Sequence, residues 1–305
     1  MKLIDCVERM SERLDSAGVA FGHGTTNAFD EAAWLVLWRL GLPLELLDEH
    51  AARELTPAEL AAVQALIEER IGRRIPAAYL TGEAWLHGVP FFVDERCIVP
   101  RSLIAEPLVE GSIDLFLPAE PARVLDLCTG NGSRAVMAAL AWRQARIVGT
   151  DLSAGALEVA ARNVARHGLA ARIELRAGDG LAALRRDERF DLVLCNPPYV
   201  NARSMSELPP EFRAEPALAL AAGDDGMDFV RRLLPRIARH LAAAGVLVLE
   251  IGHERAFFEA AFPALAPTWL STSAGDDQVL LLTRADLEHL KTVPPAAKSP
   301  SAPAP

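Results

Sequence analysis

Phe190-Asp-Leu-Val-Leu-Cys-Asn196-Pro-Pro-Tyr-Val200 sets an apolar run directly against two successive prolines. Proline donates no ladder hydrogen bond, so a strand over 190–195 has to stop there. Asn196 then stands at the carboxyl end of a strand, where open α/β sheets bind their ligands. Its side-chain carbonyl and the backbone carbonyl of Pro197 are two fixed acceptors. Facing one way, they suit a planar NH2 group such as an amide or an exocyclic amine. The competing reading is a structural Pro-Pro turn with a buried asparagine.

Similar apolar runs recur on both sides, at 123–128, 146–150, 172–176, 245–251, 268–273 and 278–283, separated by segments of helical periodicity. Strands alternating with helices predict a seven-stranded, mostly parallel sheet with helices on both faces. Residues 1–76 read as a small helical domain. Leu3, Val7, Met10 and Leu14 recur at helical spacing, Asp30-Glu31 favour a helix start, Gly41-Leu-Pro43 ends that helix, and Thr56-Pro57-Ala-Glu59 forms a capping box. Residues 77–101 read as a β-hairpin linker, from Tyr79-Leu-Thr-Gly82-Glu83, Gly88-Val-Pro90-Phe-Phe-Val93 and Ile98-Val-Pro100-Arg101. The sheet-bearing domain spans 102–290. The tail 291–305, rich in Pro, Ala and Ser, is expected to be disordered.

At 305 residues and 51% apolar composition, the chain can build one large core and a smaller one. Its net charge is −10, and residues 1–75 alone carry 8 basic and 13 acidic side chains. That argues against holding nucleic acid through phosphate charge alone, and for a helical domain that recognises protein. Cys6, Cys97, Cys128 and Cys195 lack metal-ligand spacing and read as reduced thiols in a cytoplasmic protein without a metal. Acidic Asp5 and the lack of a long apolar core argue against a secretion signal, and no apolar run is long enough to span a membrane.

Arg123-Val-Leu-Asp126-Leu-Cys128-Thr-Gly130-Asn-Gly132-Ser133 reads as a strand, a Gly-rich turn and a helix start. Glycine belongs where backbone must turn tightly and approach a ligand. The spacing is not that of a dinucleotide fingerprint, and an ordinary strand-to-helix turn is the alternative. The next strand ends in Asp151, about 20 residues on, placed to accept two ribose hydroxyls or to cap a helix. The third ends in Gly178-Asp179-Gly180, a ligand contact or a plain Asp-Gly turn.

In this order, the motifs resemble those of class I methyltransferases that use S-adenosyl-L-methionine, a Rossmann-like fold, and Asn196-Pro-Pro-Tyr199 resembles the tetrapeptide of members that methylate planar nitrogens. Over nearly its full length the chain is similar to protein-glutamine methyltransferases, through Tyr79 to Glu83, Asp126 to Ser133, Asn196 to Tyr199, Glu215-Pro216, Ala217 to Asp228, Leu249 to His253 and Asp276 to Val279. Pro100-Arg101-Ser102-Leu103-Ile104 and Gly22 to Glu31 resemble the branch acting on large-subunit ribosomal protein three, uL3, rather than the branch acting on release factors. Leu103 departs from that branch's usual proline. Cys128 replaces the usual first glycine.

The resemblance implies a cofactor site of Asp126, Cys128, Thr129, Gly130, Asn131, Gly132, Asp151, Leu152, Asp179, Gly180 and Asn196. Asp126 would meet the methionine amino group. Substrate would meet Asn196, Pro197, Pro198 and Tyr199, of which Asn196, Pro197 and Tyr199 act in catalysis. Implied partners are uL3, alternatively release factors, and an assembling ribosomal particle. Arg101, Glu106 and His253 each admit an ordinary structural role. Two other readings compete: an adenine methyltransferase that clamps a flipped base, and a cofactor-binding module without catalysis.

Overall fold

The computed structural model describes residues 1–288 and 290, so the expected disordered tail, 291–305, lies outside the described residues. Helix Leu3–Ser16 buries Leu3, Cys6, Val7, Met10 and Leu14 along one stripe. Each such side chain stabilises the fold by roughly 1.5–3 kcal/mol when fully buried, less for the cysteine. Helix Ala28–Arg39 starts where Asn27 accepts the amide of Asp30 at 2.9 Å. Helix Pro57–Arg73 starts on the expected capping box: Thr56 accepts the Glu59 amide at 3.2 Å, and Glu59 accepts the Thr56 amide at 2.9 Å.

The hairpin is shorter than expected. Tyr79-Leu-Thr81 lies in a short helix, Ala77–Thr81, which Gly82 ends at φ 69°. Strands β1 (Glu83–Leu86) and β2 (Val89–Phe92) then pair antiparallel. His87 and Gly88 both take positive φ, 47° and 75°, the geometry a two-residue hairpin turn demands. From 93 to 101 the chain is irregular. Tyr79 Oη donates to the Cys97 carbonyl at 2.6 Å and ties this segment to the short helix.

The remaining strands are β3 (Arg123–Leu127), β4 (Arg146–Asp151), β5 (Ile173–Ala177), β6 (Phe190–Cys195), β7 (Leu241–Glu250), β8 (Thr268–Thr272) and β9 (Gly275–Thr283). They form one sheet in the order β5-β4-β3-β6-β7-β9-β8. The first five are mutually parallel, and β9 runs antiparallel between β7 and β8. The chain winds outward from β3 through β4 to β5, then returns to place β6 on the other side of β3. A crevice opens where the winding direction reverses, beyond the carboxyl ends of β3 and β6.

One face of the sheet packs against helices that include Ser133–Ala141, the other against Asp228–Ile237 and Arg255–Ala261. The core of the helical region runs on through Val93 and Val99 to Ala156 and Val159 of helix Ala154–Arg166. Among the described residues, no helix is long and apolar enough to cross a membrane.

Candidate functional site

The turn after β3 is built on left-handed backbone. Cys128, Gly130 and Gly132 have φ of 58°, 56° and 80°. Cys128 therefore occupies a conformation that costs a non-glycine residue about 1 kcal/mol or more. A Cβ on Gly132 would lie 3.0 Å from that of Ala160, so a close helix contact requires glycine there. At Gly130 a Cβ would meet nothing within 4 Å, because the turn faces open space.

Asp126 lies beneath this turn and is fully buried. Its carboxylate pairs with Arg134 Nε at 2.9 Å and accepts the Ala135 amide at 3.1 Å and the Thr129 hydroxyl. These partners consume it, and it does not line the crevice. Asn131 is also turned away. Its Oδ1 accepts the Ser133 amide at 3.2 Å, and its carbonyl accepts Asn163 Nδ2 at 2.8 Å. Thr129, Asn131 and Gly132 thus shape the turn from behind.

The crevice itself is a cavity of about 870 Å³. Of the expected cofactor residues, Cys128, Gly130, Asp151, Leu152, Asp179, Gly180 and Asn196 line it. Asp151 is fixed by two amides, Gly130 and Ser153, each donating at 2.8 Å. Asp179 pairs with Arg232 at 3.2 Å. Thr150 Oγ1 is buried without a hydrogen-bond partner, and its residue lines the same cavity. Exposed Leu152 and Leu218 add apolar wall.

S-adenosyl-L-methionine carries a ribose diol, a purine and a zwitterionic end. A carboxylate at the end of β4, a glycine turn with no side chain in the way, an unpartnered hydroxyl and apolar walls fit that group. Arg96 also lines this cavity, where it pairs with Asp94 and Glu158 at 2.7 Å each.

A second cavity of about 190 Å³ adjoins the first. It has room for one side chain, whereas drug-sized ligands take roughly 300 Å³ or more. Pro197, Tyr199, Arg101, Phe212 and Glu250 line it, while Pro198 lines the larger cavity instead. Asn196 lines both, together with Ile98 and Ala219. The Tyr199 ring lies close over Gly252, where a Cβ would come within 2.5 Å of its Cε2, so only glycine leaves it room.

The wall of the small cavity is held from outside by ion pairs. Glu215 accepts the Val99 amide at 2.9 Å and both Nη atoms of Arg101 at 2.6 Å. Burial opposes ionisation of Glu215, but the Arg101 charge and hydrogen bonds outweigh it and hold the carboxyl at about 2. His23 Nε2 stands 3.6 Å from Glu215 Oε2, beyond hydrogen-bond distance, and burial lowers its pKa. The His23 ring packs on Phe212 with centroids 4.1 Å apart. Glu211 accepts from Arg70 Nη1 at 3.2 Å and Arg74 Nε at 2.6 Å, and Arg70 Nε donates to Glu31 at 2.8 Å. The segment that follows Asn196-Pro-Pro-Tyr199 is thus clasped by the helical region.

Arg101 is engaged in an ion pair with Glu215. Glu106 caps the β8–β9 connection, accepting the amide and hydroxyl of Ser273 at 2.6 Å each. His253 is exposed and lines neither cavity. Sequence reading missed Arg70, Glu211, Arg134 and Glu250, and gave Glu31 only as a helix-start signal within a family-like stretch. Glu250 also lay within such a stretch, but Arg70, Glu211 and Arg134 carried no local signal.

Two family models match the chain: the methyltransferase small domain over residues 113–223 and the PrmC N-terminal domain over residues 6–82. The ribosomal protein uL3 glutamine methyltransferase of Bordetella pertussis is 54% identical, over 93% of this chain and 96% of that protein. That of Burkholderia pseudomallei is 50% identical, over 93% and 94%. Among solved structures, the hMettl16 catalytic domain in complex with a MAT2A 3′UTR hairpin aligns with a TM-score of 0.51 at 14% identity, over 78% of this chain and 83% of that one. At that identity the likeness shows the fold alone.

Proposed function

This chain belongs to the ribosomal protein uL3 glutamine methyltransferases, and from that premise we propose that Asn196 and Pro197 hold the glutamine amide it methylates on uL3. S-adenosyl-L-methionine supplies an electrophilic methyl group. The chain's own residues must then orient a poor nucleophile, because the amide lone pair is delocalised into its carbonyl.

Asn196 Oδ1 and the Pro197 carbonyl accept the two N–H bonds of the amide. This fixes the nitrogen against the larger cavity and stabilises the positive charge that develops on it. Tyr199 packs against the amide plane and keeps water out. Asp151 accepts the ribose hydroxyls, and Asp179 with Gly180 meets the adenine. The observation that carries this reading is the position of Asn196, in the wall common to a cofactor-sized cavity and a side-chain-sized one. The clasped segment 208–220 and the helical region recognise the uL3 backbone around the glutamine, in the cytoplasm, before or during assembly of the particle.

The test is intact-mass analysis of purified uL3 and of release factors, each incubated with enzyme and S-adenosyl-L-methionine. A gain of one CH2 on uL3 alone, mapped to a glutamine, is expected. A gain on release factors only, or on neither, overturns the substrate assignment.

A further inference from the structure

Glu250 ends β7, one register step beyond the pair Cys195↔Leu249, which puts it beside Asn196 at the end of β6. Its side chain lines the small cavity and is 2% exposed. Oε2 accepts from Ser102 Oγ at 2.6 Å and Oε1 from Tyr199 Oη at 3.3 Å. The cations that face it are Arg134, from helix Ser133–Ala141, and Arg101, from the irregular segment after β2. Arg134 is committed to Asp126 and Arg101 to Glu215. Burial pushes the Glu250 carboxyl above the ordinary range, against the pull of Ser102 and Arg134.

A carboxyl buried without a cation of its own costs stability, and such groups mark candidate functional sites. The reaction has a use for this one. When an amide nitrogen gains a methyl group it carries one proton too many, and the two groups that hold it, Asn196 Oδ1 and the Pro197 carbonyl, are neutral amide oxygens. Tyr199 Oη, by contrast, borders the same cavity and reaches Glu250.

We propose that Glu250 takes up the proton released by the methylated amide nitrogen, through the hydroxyl of Tyr199. The inference rests on the glutamine-methylation reading above. The nitrogen lone pair forms the N–C bond, and the carbon–sulfur pair stays on sulfur. As the nitrogen becomes tetrahedral, one N–H leaves the Pro197 carbonyl and turns to Tyr199 Oη; its bonding pair returns to nitrogen as the proton passes to that oxygen. The Tyr199 hydroxyl proton passes in turn to Glu250 Oε1. The methylated amide ends neutral, and Glu250 ends as a carboxylic acid that gives its proton to solvent when product leaves. A carboxylate with raised proton affinity is the better acceptor. Ser102 holds its other oxygen, and Gly252 leaves room for the relay ring.

Full-length Glu250→Gln and Tyr199→Phe decide the matter, assayed on uL3 across pH, with calorimetric binding of S-adenosylhomocysteine as the readout of an intact cofactor site. Glu250→Gln is expected to lower kcat on the order of 100-fold with little change in KM, and to abolish the acid limb of the kcat profile. Tyr199→Phe is expected to lower kcat about tenfold, and the double variant to be no worse than Glu250→Gln. S-adenosylhomocysteine affinity is expected to be unchanged in both. A Glu250→Gln enzyme with wild-type kcat and an intact acid limb overturns the proposal. If that variant does not fold, Tyr199→Phe decides alone, and wild-type kcat with an unmoved acid limb overturns it. A wild-type enzyme that adds no methyl to uL3 overturns the function reading and this inference together, whereas an active wild type matched by both variants overturns only this one.

Discussion

Arg101 and Glu215 meet in a two-pronged pair, with Nη1 to Oε1 and Nη2 to Oε2 both at 2.6 Å. The pair joins the segment after the hairpin to the segment after Tyr199, across 114 residues of sequence. It also fixes Phe212, which lies under the guanidinium with 5.5 Å from Cζ to the ring centroid.

Arg101→Ala leaves the Glu215 carboxylate buried without its cation. Losing one member of a buried pair costs about 3–5 kcal/mol. Urea unfolding of the variant is expected to show that loss. Arg101→Lys keeps the charge but not the fork, so it recovers only part of the stability.

Acid weakens the same contact, with a definite sign. Glu215 titrates at about 2 in the fold, against an ordinary value of 4.5. Its folded pKa lies below its unfolded one. The stability it contributes is therefore complete above about 4.5 and is lost as pH falls towards 2, on the order of 3 kcal/mol in all. Glu188, lowered to about 2 chiefly by its hydrogen bonds to Arg176, follows the same course. Urea midpoints measured between pH 7 and pH 3 should fall most steeply below pH 4.5, and a Glu215→Gln variant should show a shallower decline.

Asn196→Ala removes one of two acceptors from the reacting nitrogen. By analogy with the loss of one oxyanion-hole donor, kcat should drop on the order of 100-fold or more. S-adenosylhomocysteine binding, measured by calorimetry, should weaken far less. A variant that turns over at the wild-type rate contradicts the assignment.

Asp151→Ala should raise the Kd for S-adenosylhomocysteine and leave binding of uL3 alone. Hydrogen bonds to a charged group are worth roughly 1.5–3 kcal/mol, so a loss of about 10- to 150-fold is expected. Part of it arises because the Gly130 amide loses the acceptor that fixes the turn.

Gly252→Ala sets a methyl group against the Tyr199 ring at a residue whose φ is 55°. Left-handed backbone costs alanine about 1–2 kcal/mol before the clash is counted. Because the ring must move, kcat should fall even if the fold survives, and a thermal melt beside an activity assay separates the two effects.

Much of this fold is legible in the chain. Each of the seven sheet strands lies where an apolar run was bounded by turn residues, and the capping box at Thr56 forms as written. The exceptions are physical. Strand β7 begins at Leu241, ahead of the expected 245, because Leu241 pairs with Phe190 and Ala242-Ala-Ala244, which carries no strand signal, is spanned by the register shift before the pair Leu192↔Val246. Tyr79 sits in a short helix after Pro76, and its hydroxyl bonds Cys97, eighteen residues on, a contact that no local pattern announces. Cys128, Gly130, Asp151 and Asn196 reach the larger cavity because each follows or ends a strand at the same edge of the sheet. Asp126 misses it because Arg134, eight residues later on the next helix, returns to take its carboxylate. The pairing of Glu211 with Arg70 spans 141 residues, and no spacing rule reaches so far.

That last contact bears on cooperativity. Glu31, Arg70 and Glu211 form one chain of charge from the helical bundle into the segment above the sheet, and each is at most 1% exposed. To swing the bundle away, an ion would have to be stranded in a dry interior or water let in. The two parts of the enzyme should therefore melt in a single transition. Cutting the chain after residue 76 should yield an insoluble remainder rather than a slower enzyme. The bundle should then move with the sheet as one body.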